Sequence, residues 1–442
     1  MANPSENRPM ETRPVPNHPM DPRTVLSPVA TPPVVPRQVE HALPPLPAVP
    51  VGAPPQRSST ASQVFAIVGI LVLGFVFLAV VGYLVLGLGP VAVVICGILA
   101  LLPLGVVITV ITLIDRWEPE PRPALWFAFL WGAAASVAIA LIVDFSVQLI
   151  VEVASDGLNT TSDLWGSVIQ APVVEEGAKA AGILILLLFF RRQFDGPVDG
   201  LVYGATVAAG FAFTENILYF GQSLIESGGV GLGFTFVLRG ILSPFAHVMF
   251  TACTGIALGF AVRRKNALAG VGIFLLGLVL AMGLHAFWNG STFLVAGMGG
   301  FFLLYFAVQV PLFALAVVFV VLLRRSETRL TRARLTEYAE AGWFSEAEVE
   351  MLSSGSTRKQ ALRWAKSMPG DGRAAMKSFT RHATRLAFVR QRLLSGRAAI
   401  GPRHDEAELL DALLGDRLAL ASAAGGPSAP AGSAPSGSAP VF

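Results

Sequence analysis

From residue 64 onward the chain alternates long apolar runs with short polar breaks. The runs lie near 64–87, 90–114, 124–148, 166–190, 201–221, 236–262, 268–291 and 299–323. Each is long enough for the roughly 20-residue helix that crosses a hydrocarbon layer about 30 Å thick. The runs are continuous and do not alternate, which argues against strands. Glycine is frequent within them, as in packed membrane helices. The pattern predicts an all-α fold, a polytopic membrane helical bundle of about eight transmembrane helices over 63–323. Residues 1–62 are polar and proline-dense, as at Pro32-Pro33 and Pro44-Pro45, and are expected to form a disordered cytoplasmic arm. Nothing in them resembles a cleavable signal peptide, so the first run is expected to serve as an uncleaved insertion signal. Residues 324–421 read as a small helical cytoplasmic tail, with helix-like patterning around Leu330–Met351 and Glu406–Leu420 and a helix start at Ser345. Residues 422–442, rich in Ala, Gly, Ser and Pro, read as a disordered tail.

Composition supports the membrane class. Of 442 residues, 53% are hydrophobic and 14% charged, whereas a soluble domain carries about 25% charge. Mean hydropathy is +0.63. The net charge of +3 is small, and the basic residues gather beside apolar runs, as topology signals do. They form no nucleic-acid footprint, and no nucleic-acid partner is expected. With the N-terminus inside, the inner loops hold Arg116, Arg122, Arg191, Arg192, Arg263, Arg264 and Lys265, and Arg324 and Arg325 follow the last run. The outer loops hold Glu152, Asp156, Asp163 and Glu226, with Arg239 at one boundary. This asymmetry predicts an N-in, C-in protein of the cell membrane. Cys96 and Cys253 both fall inside runs, where they read as small buried hydrophobes. Asn159-Thr160-Thr161 fits a glycosylation sequon on an outer loop.

Four neighbouring runs carry ionisable or amide groups, although a charge at mid-bilayer costs about 3 kcal/mol on insertion scales. The first has Glu175, Glu176 and Lys179; the second Glu215 and Asn216; the third His247; the fourth His285 and Asn289. Glu175 and Lys179 are four apart and share a helix face, as do His285 and Asn289. Lys179 neutralises one carboxylate and leaves the other fit for general-base work. Pro172 is expected to loosen the helix just before the pair. With N-in topology, Glu175 lies about 14 Å from the outer face, Glu215 and His285 about 9 Å, and His247 about 12 Å. Alone, each residue reads as a neutralised pair or helix–helix glue. Together they predict a polar active site or a transport path in the outer half of the membrane. Asp144 sits near the interface end of its run. Two other classes remain open: a proton- or ion-coupled transporter, for which no internal repeat is evident, and a scaffold whose tails bind cytoplasmic proteins.

The ordered set Glu175-Glu176-x-x-Lys179, Phe211-x-x-x-Glu215-Asn216, His247 and His285-x-x-x-Asn289 resembles the PrsW family of intramembrane proteases, and distantly the CAAX-protease and bacteriocin-processing superfamily. The resemblance covers about 110–323, including the Asp115–Pro119 loop. It implies hydrolysis of a peptide bond in a single-pass membrane protein, typically an anti-sigma factor cut on its extracytoplasmic side, with the lipid bilayer as surroundings. Two chemistries fit. In one, His247, His285 and a carboxylate (Glu215 or Glu176) hold zinc and Glu175 deprotonates the water. In the other no metal takes part: Glu175 and His247 activate water while His285 and Asn289 stabilise the oxyanion. The His-Glu-x-x-His, Gly-x-Ser-x-Gly and Gly-x-Gly-Asp signatures are absent.

Overall fold

The computed structural model describes residues 60–154, 163–190, 194–295, 297–394 and 401–425. The proline-rich arm up to residue 59, the sequon at Asn159, Arg191, Arg192 and residues 426–442 lie outside the described residues.

The apolar runs fall in helices, the run 236–262 being interrupted at Ser243–Phe245, and no strand occurs among the described residues. Helix α1 spans Thr60–Leu88 and α2 Pro90–Ile114. Helix α3, Arg122–Leu130, passes through a π-helical turn, Trp131–Ser136, into α4, Val137–Ala154. A π-helical turn at Gly166–Gln170 leads into α5, Ala171–Phe189. Next come α6, Pro197–Phe236, a π-helical turn at Val237–Leu242, α7, Ala246–Ala261, and α8, Ala267–Leu294. Helix α9, Gly297–Leu304, continues through Tyr305–Gln309 into α10, Val310–Glu340.

Among the described residues, six stretches are long and apolar enough to cross a membrane: Ile67–Leu88, Pro90–Ile114, Arg122–Ala154, Pro197–Ala261, Ala267–Leu294 and Gly297–Glu340. The protein is a multi-pass membrane protein. Pro197–Ala261 contains two of the expected runs, and α5 stands outside the set with Glu175, Glu176 and Lys179 among its 19 residues. The expected run 201–221 is shorter than the helix that carries it. Helix α6 goes on past Gly221 and is broken only at Gly228, whose backbone is left-handed (φ 64°, ψ −156°), a conformation open to glycine at little cost.

The packing inverts that of a soluble protein. Leu71, Phe75, Leu86 and Leu276 face outward, as suits side chains bathed in lipid, while Glu176, Lys179, Thr251 and His285 are buried. Helix α6 is the axis: from Pro197 to Phe211 every residue is buried. It packs on α7 where Gly200 meets Gly255 so closely that a Cβ on either would strike the other's backbone. Small residues permit this approach, and van der Waals contact rewards it. On its other side Gly210 fits against Phe129 of α3 and Gly132 against Val207.

At the end of the bundle where α6 begins, Asp199 accepts hydrogen bonds from Asp195 N (2.5 Å) and Gly196 N (2.8 Å) and so caps α6. Tyr203 donates to Glu120 (2.5 Å), and Asp115 accepts from Glu120 N (3.0 Å). Burial raises the carboxyls of Glu118 and Glu120 well above the usual range, with Asp195 adding to the first and Asp199 to the second. Burial also lifts Asp115 to about 6, against the pull of the Glu120 N–H.

This membrane core is one compact unit, which also takes in residues 384–394 and 401–410. The second unit holds residues 335–383 and 411–425 of the described chain. In the second unit α11, Glu346–Leu352, starts at Ser345 as expected: Ser345 Oγ accepts from Glu348 N (3.2 Å) and Glu348 accepts from Ser345 N (2.8 Å). The helix-like stretch 330–351 is divided by Gly342 (φ 82°). Helices α12, Gly355–Lys366, α13, Gly372–Leu394, and α14, Gly401–Ala423, follow. Helix α14 contains the expected 406–420 segment and runs into the start of the expected disordered tail.

Candidate active site

Helix α5 supplies Glu175, Glu176 and Lys179 from one face. Trp131 fixes the height of this helix, because its indole lies against Gly182 and donates to Ala178 O (2.9 Å). Lys179 is fully buried. Its ammonium donates to Glu176 Oε1 (2.9 Å), Glu175 Oε2 (3.3 Å) and His247 Nδ1 (3.2 Å), which uses all three protons. It also lies 3.7 Å above the Phe211 ring, where the ring face attracts a cation.

The two glutamates divide their tasks. Glu176 is fully buried, and its second oxygen accepts from Thr251 Oγ1 of α7 (2.8 Å). Its first oxygen also meets His285 Nδ1 of α8 (3.1 Å). Glu175 has fewer partners. Beyond Lys179 it faces His285 Nε2 at 3.9 Å, and it lines a cavity of about 270 Å³. Glu215, Phe211, Val174 and Asp144 also line this cavity. Asp144 there accepts from Gln148 (2.8 Å) and Gln170 (3.2 Å).

The two imidazoles stand at right angles with centroids 5.1 Å apart. With Lys179 donating to Nδ1, His247 carries its proton on Nε2 and gives it to Glu215 Oε2 (2.7 Å). Phe250 stacks on His285 at 5.0 Å. Three carboxylates thus meet two fixed cations, Lys179 and Arg239, and neutral imidazoles leave one negative charge in excess.

Six of the eight expected site residues therefore form one network: Glu175, Glu176, Lys179, Glu215, His247 and His285. Asn216 joins at its edge, accepting from Arg239 Nε (3.0 Å). Asn289 does not join. Its amide donates to Ser167 O (2.8 Å) and ties α8 to the turn before α5. Thr251 and Arg239 belong to the network without having been expected. Thr251 gives no sequence signal; a lone arginine amid apolar residues does.

Donor atoms of Glu175, His247 and His285 lie within 4.8 Å of one another. Glu215 stands outside this trio because its Oε2 is taken by Arg239 and His247. Each imidazole has a carboxylate on one nitrogen, the arrangement that orients metal-bound histidines. One carboxylate with two imidazoles suits zinc. The donor chemistry therefore fits a divalent ion, which would compete with the Lys179 ammonium for His247 Nδ1.

Comparison with known families gives the same motifs a name. Residues 120–316 match the family described as PrsW family intramembrane metalloprotease. This stretch of the chain is similar to the PrsW family. A Protease PrsW of Clostridioides difficile (strain 630) is 35% identical over 142 residues, 32% of this chain and 55% of that protein. One from Geobacillus kaustophilus is 29% identical over 158 residues, 35% of this chain and 62% of its own. One from Bacillus subtilis (strain 168) is 32% identical over 149 residues, 34% and 61%. The chain thus spans less than two thirds of the length of these relatives. No solved structure matches it. The matched segment contains all of the network just described, from Glu175 to His285.

Proposed function

We propose that this chain is an intramembrane peptidase that hydrolyses a peptide bond in a single-pass, membrane-anchored protein, with an anti-sigma factor as the substrate class. One observation carries the proposal. Acids and imidazoles from four helices converge beside a cavity of about 270 Å³, and Glu175 is the member of the network that faces it with the fewest partners.

Glu175 is the general base. It takes a proton from the water that attacks the scissile carbonyl carbon, and the C–N bond then breaks as that proton passes to the leaving nitrogen. Glu176, neutralised by Lys179 and held by Thr251, keeps His285 oriented. His285 turns Nε2 toward Glu175, where it can stabilise charge on the reacting oxygen. In the alternative arrangement Glu175 would act as a ligand in place of its role as base: with His247 and His285 it would hold a divalent ion, zinc being the one this donor set suits, whose chemistry is to acidify water and polarise a carbonyl. The excess negative charge of the network supports either arrangement. With the N-terminus inside, the cleavage lies toward the extracytoplasmic leaflet.

The test uses the full chain in liposomes with candidate single-pass substrates, with and without chelator, and mass spectrometry of the products. Wild type is expected to cut at one bond, and Glu175→Ala and His285→Ala are expected not to. Equal cleavage by wild type and Glu175→Ala would end the assignment of Glu175 as base. Bound metal measured by elemental analysis, lost in His285→Ala, separates the two arrangements.

A further inference from the structure

Beyond Gly228 the chain reverses and runs back along the end of α6. Thr235 Oγ1 donates to Ser223 Oγ (2.9 Å), Phe236 packs on Phe220 with centroids 5.7 Å apart, and the Arg239 guanidinium lies 4.1 Å over the Tyr219 ring. Later residues meet earlier ones in reverse order, so the return is an antiparallel helical hairpin with its bend at Gly228. It brings Arg239 to two adjacent residues of α6. Arg239 Nε donates to Asn216 Oδ1 (3.0 Å), and Arg239 Nη2 pairs with Glu215 Oε2. That same Glu215 oxygen accepts from His247 Nε2.

We infer that Arg239 is a positioning residue. Its planar fork clamps Glu215 so that this carboxylate holds His247 as the Nε2–H tautomer, with Nδ1 turned toward the Glu175–Lys179 pair. The inference rests on the peptidase assignment for its activity readout alone. Three features support it. An arginine in an apolar stretch costs several kcal/mol unless it is paired and hydrogen-bonded, and here it is both. The fork meets two acceptors on consecutive residues and stacks on a third, a match that a lysine ammonium cannot reproduce. Finally, among the described residues Glu215 has no other cation within ion-pair distance, so without Arg239 only His247 would hold it.

The experiment compares wild type, Arg239→Ala, Arg239→Lys and Glu175→Ala in liposomes with one cleavable single-pass substrate. Misplacing a group by about 1 Å can cost about 10²-fold in rate. Arg239→Ala is expected to lower kcat by about that factor while KM stays within about twofold. Arg239→Lys should recover little, and added guanidinium ion should restore part of the rate of Arg239→Ala but none of Glu175→Ala. A wild-type rate in Arg239→Ala, or full activity in Arg239→Lys, overturns the clamp while leaving the peptidase assignment standing. Histidine ¹⁵N spectra, assigned with His247→Gln, test the clamp with no substrate present. A single Nε2–H form in wild type and a mixture in Arg239→Ala support it. The same single form in both overturns it, whether or not the protein cleaves anything.

Discussion

Replacing Lys179 by methionine tests the electrostatic centre of the network. Methionine keeps most of the volume and removes the charge. Glu175 and Glu176 then lose their shared counter-ion at a place where Lys179 and Glu176 have no exposure. Thr251 and His285 still bond Glu176, but Glu175 keeps only His285 at 3.9 Å. Removing one partner of a buried ion pair costs about 3–5 kcal/mol. Loss of the contact with the Phe211 ring adds about 0.5–2 kcal/mol. At about 2–4 °C per kcal/mol for a domain of this size, Tm should fall by roughly 7–28 °C. The two cysteines supply the probe, since Cys96 is buried and Cys253 partly so, and a thiol-reactive dye signals the opening of the core on heating in detergent. The double variant Lys179→Met/Glu176→Gln should melt above Lys179→Met alone, because it removes a carboxylate along with the ammonium. A Lys179→Met protein that melts within about 2 °C of wild type would refute the counter-ion role. So would a double variant whose loss equals the sum of the two single losses, since uncoupled sites add.

Thr251→Val keeps the shape and deletes the donor to Glu176 Oε2, at a cost of about 1–3 kcal/mol; initial cleavage rates should drop about tenfold, and an unchanged rate would exclude this hydrogen bond from the site's support. Gly255→Leu drives a side chain into the Gly200 backbone, an overpacking worth about 1–3 kcal/mol or more. It should lower Tm and abolish cleavage together, whereas Gly272→Leu, at a glycine with open space around it, should do neither. Asp115 has its carboxyl raised from 3.8 to about 6 by burial. The unfolded chain releases this proton first as pH rises, so stability should decline between about pH 4 and pH 6 and level off above. Glu118 and Glu120 carry the same sign to higher pH. Asp115→Asn should flatten the lower part of the Tm–pH curve, and a slope equal to wild type would refute this.

Much of the site is legible because a helix repeats every 3.6 residues. Glu175 and Lys179 had to share a face, and the Lys179 ammonium does bond both glutamates. The same rule overreached at Asn289. It shares a face with His285, but one turn of about 5.4 Å carries its amide away from the ions and onto Ser167 O. The end of α6 was read too early because Gln222, Ser223 and Glu226 look like a polar exit, although polar residues continue a helix readily. Arg239 was read as a marker of a membrane boundary. Its partners lie 24 and 23 residues upstream, and Ser227-Gly228-Gly229 signals a bend without fixing its angle. Thr251 is an ordinary small membrane residue until α7 is laid against α5, 75 residues earlier in the chain.

The ion network also depends on a register that the ions themselves do not set. Along α6 and α7 the contacts step in opposite directions: Gly200 against Gly255, Gly204 against Thr251 O, Phe211 against His247 at 5.4 Å between rings. The first is a backbone approach that only glycine permits, and the second is tight, so they resist sliding. A slip of one residue would shift α7 by about 1.5 Å and turn His247 by about 100°. Both of its hydrogen bonds would then be lost. Long side chains such as Lys179 and Arg239 could follow a small displacement, whereas two backbones in contact cannot yield. The small residues therefore fix the alignment of Glu215, His247 and Thr251, and the charges are buried at a tolerable cost because that alignment already gives each of them a partner.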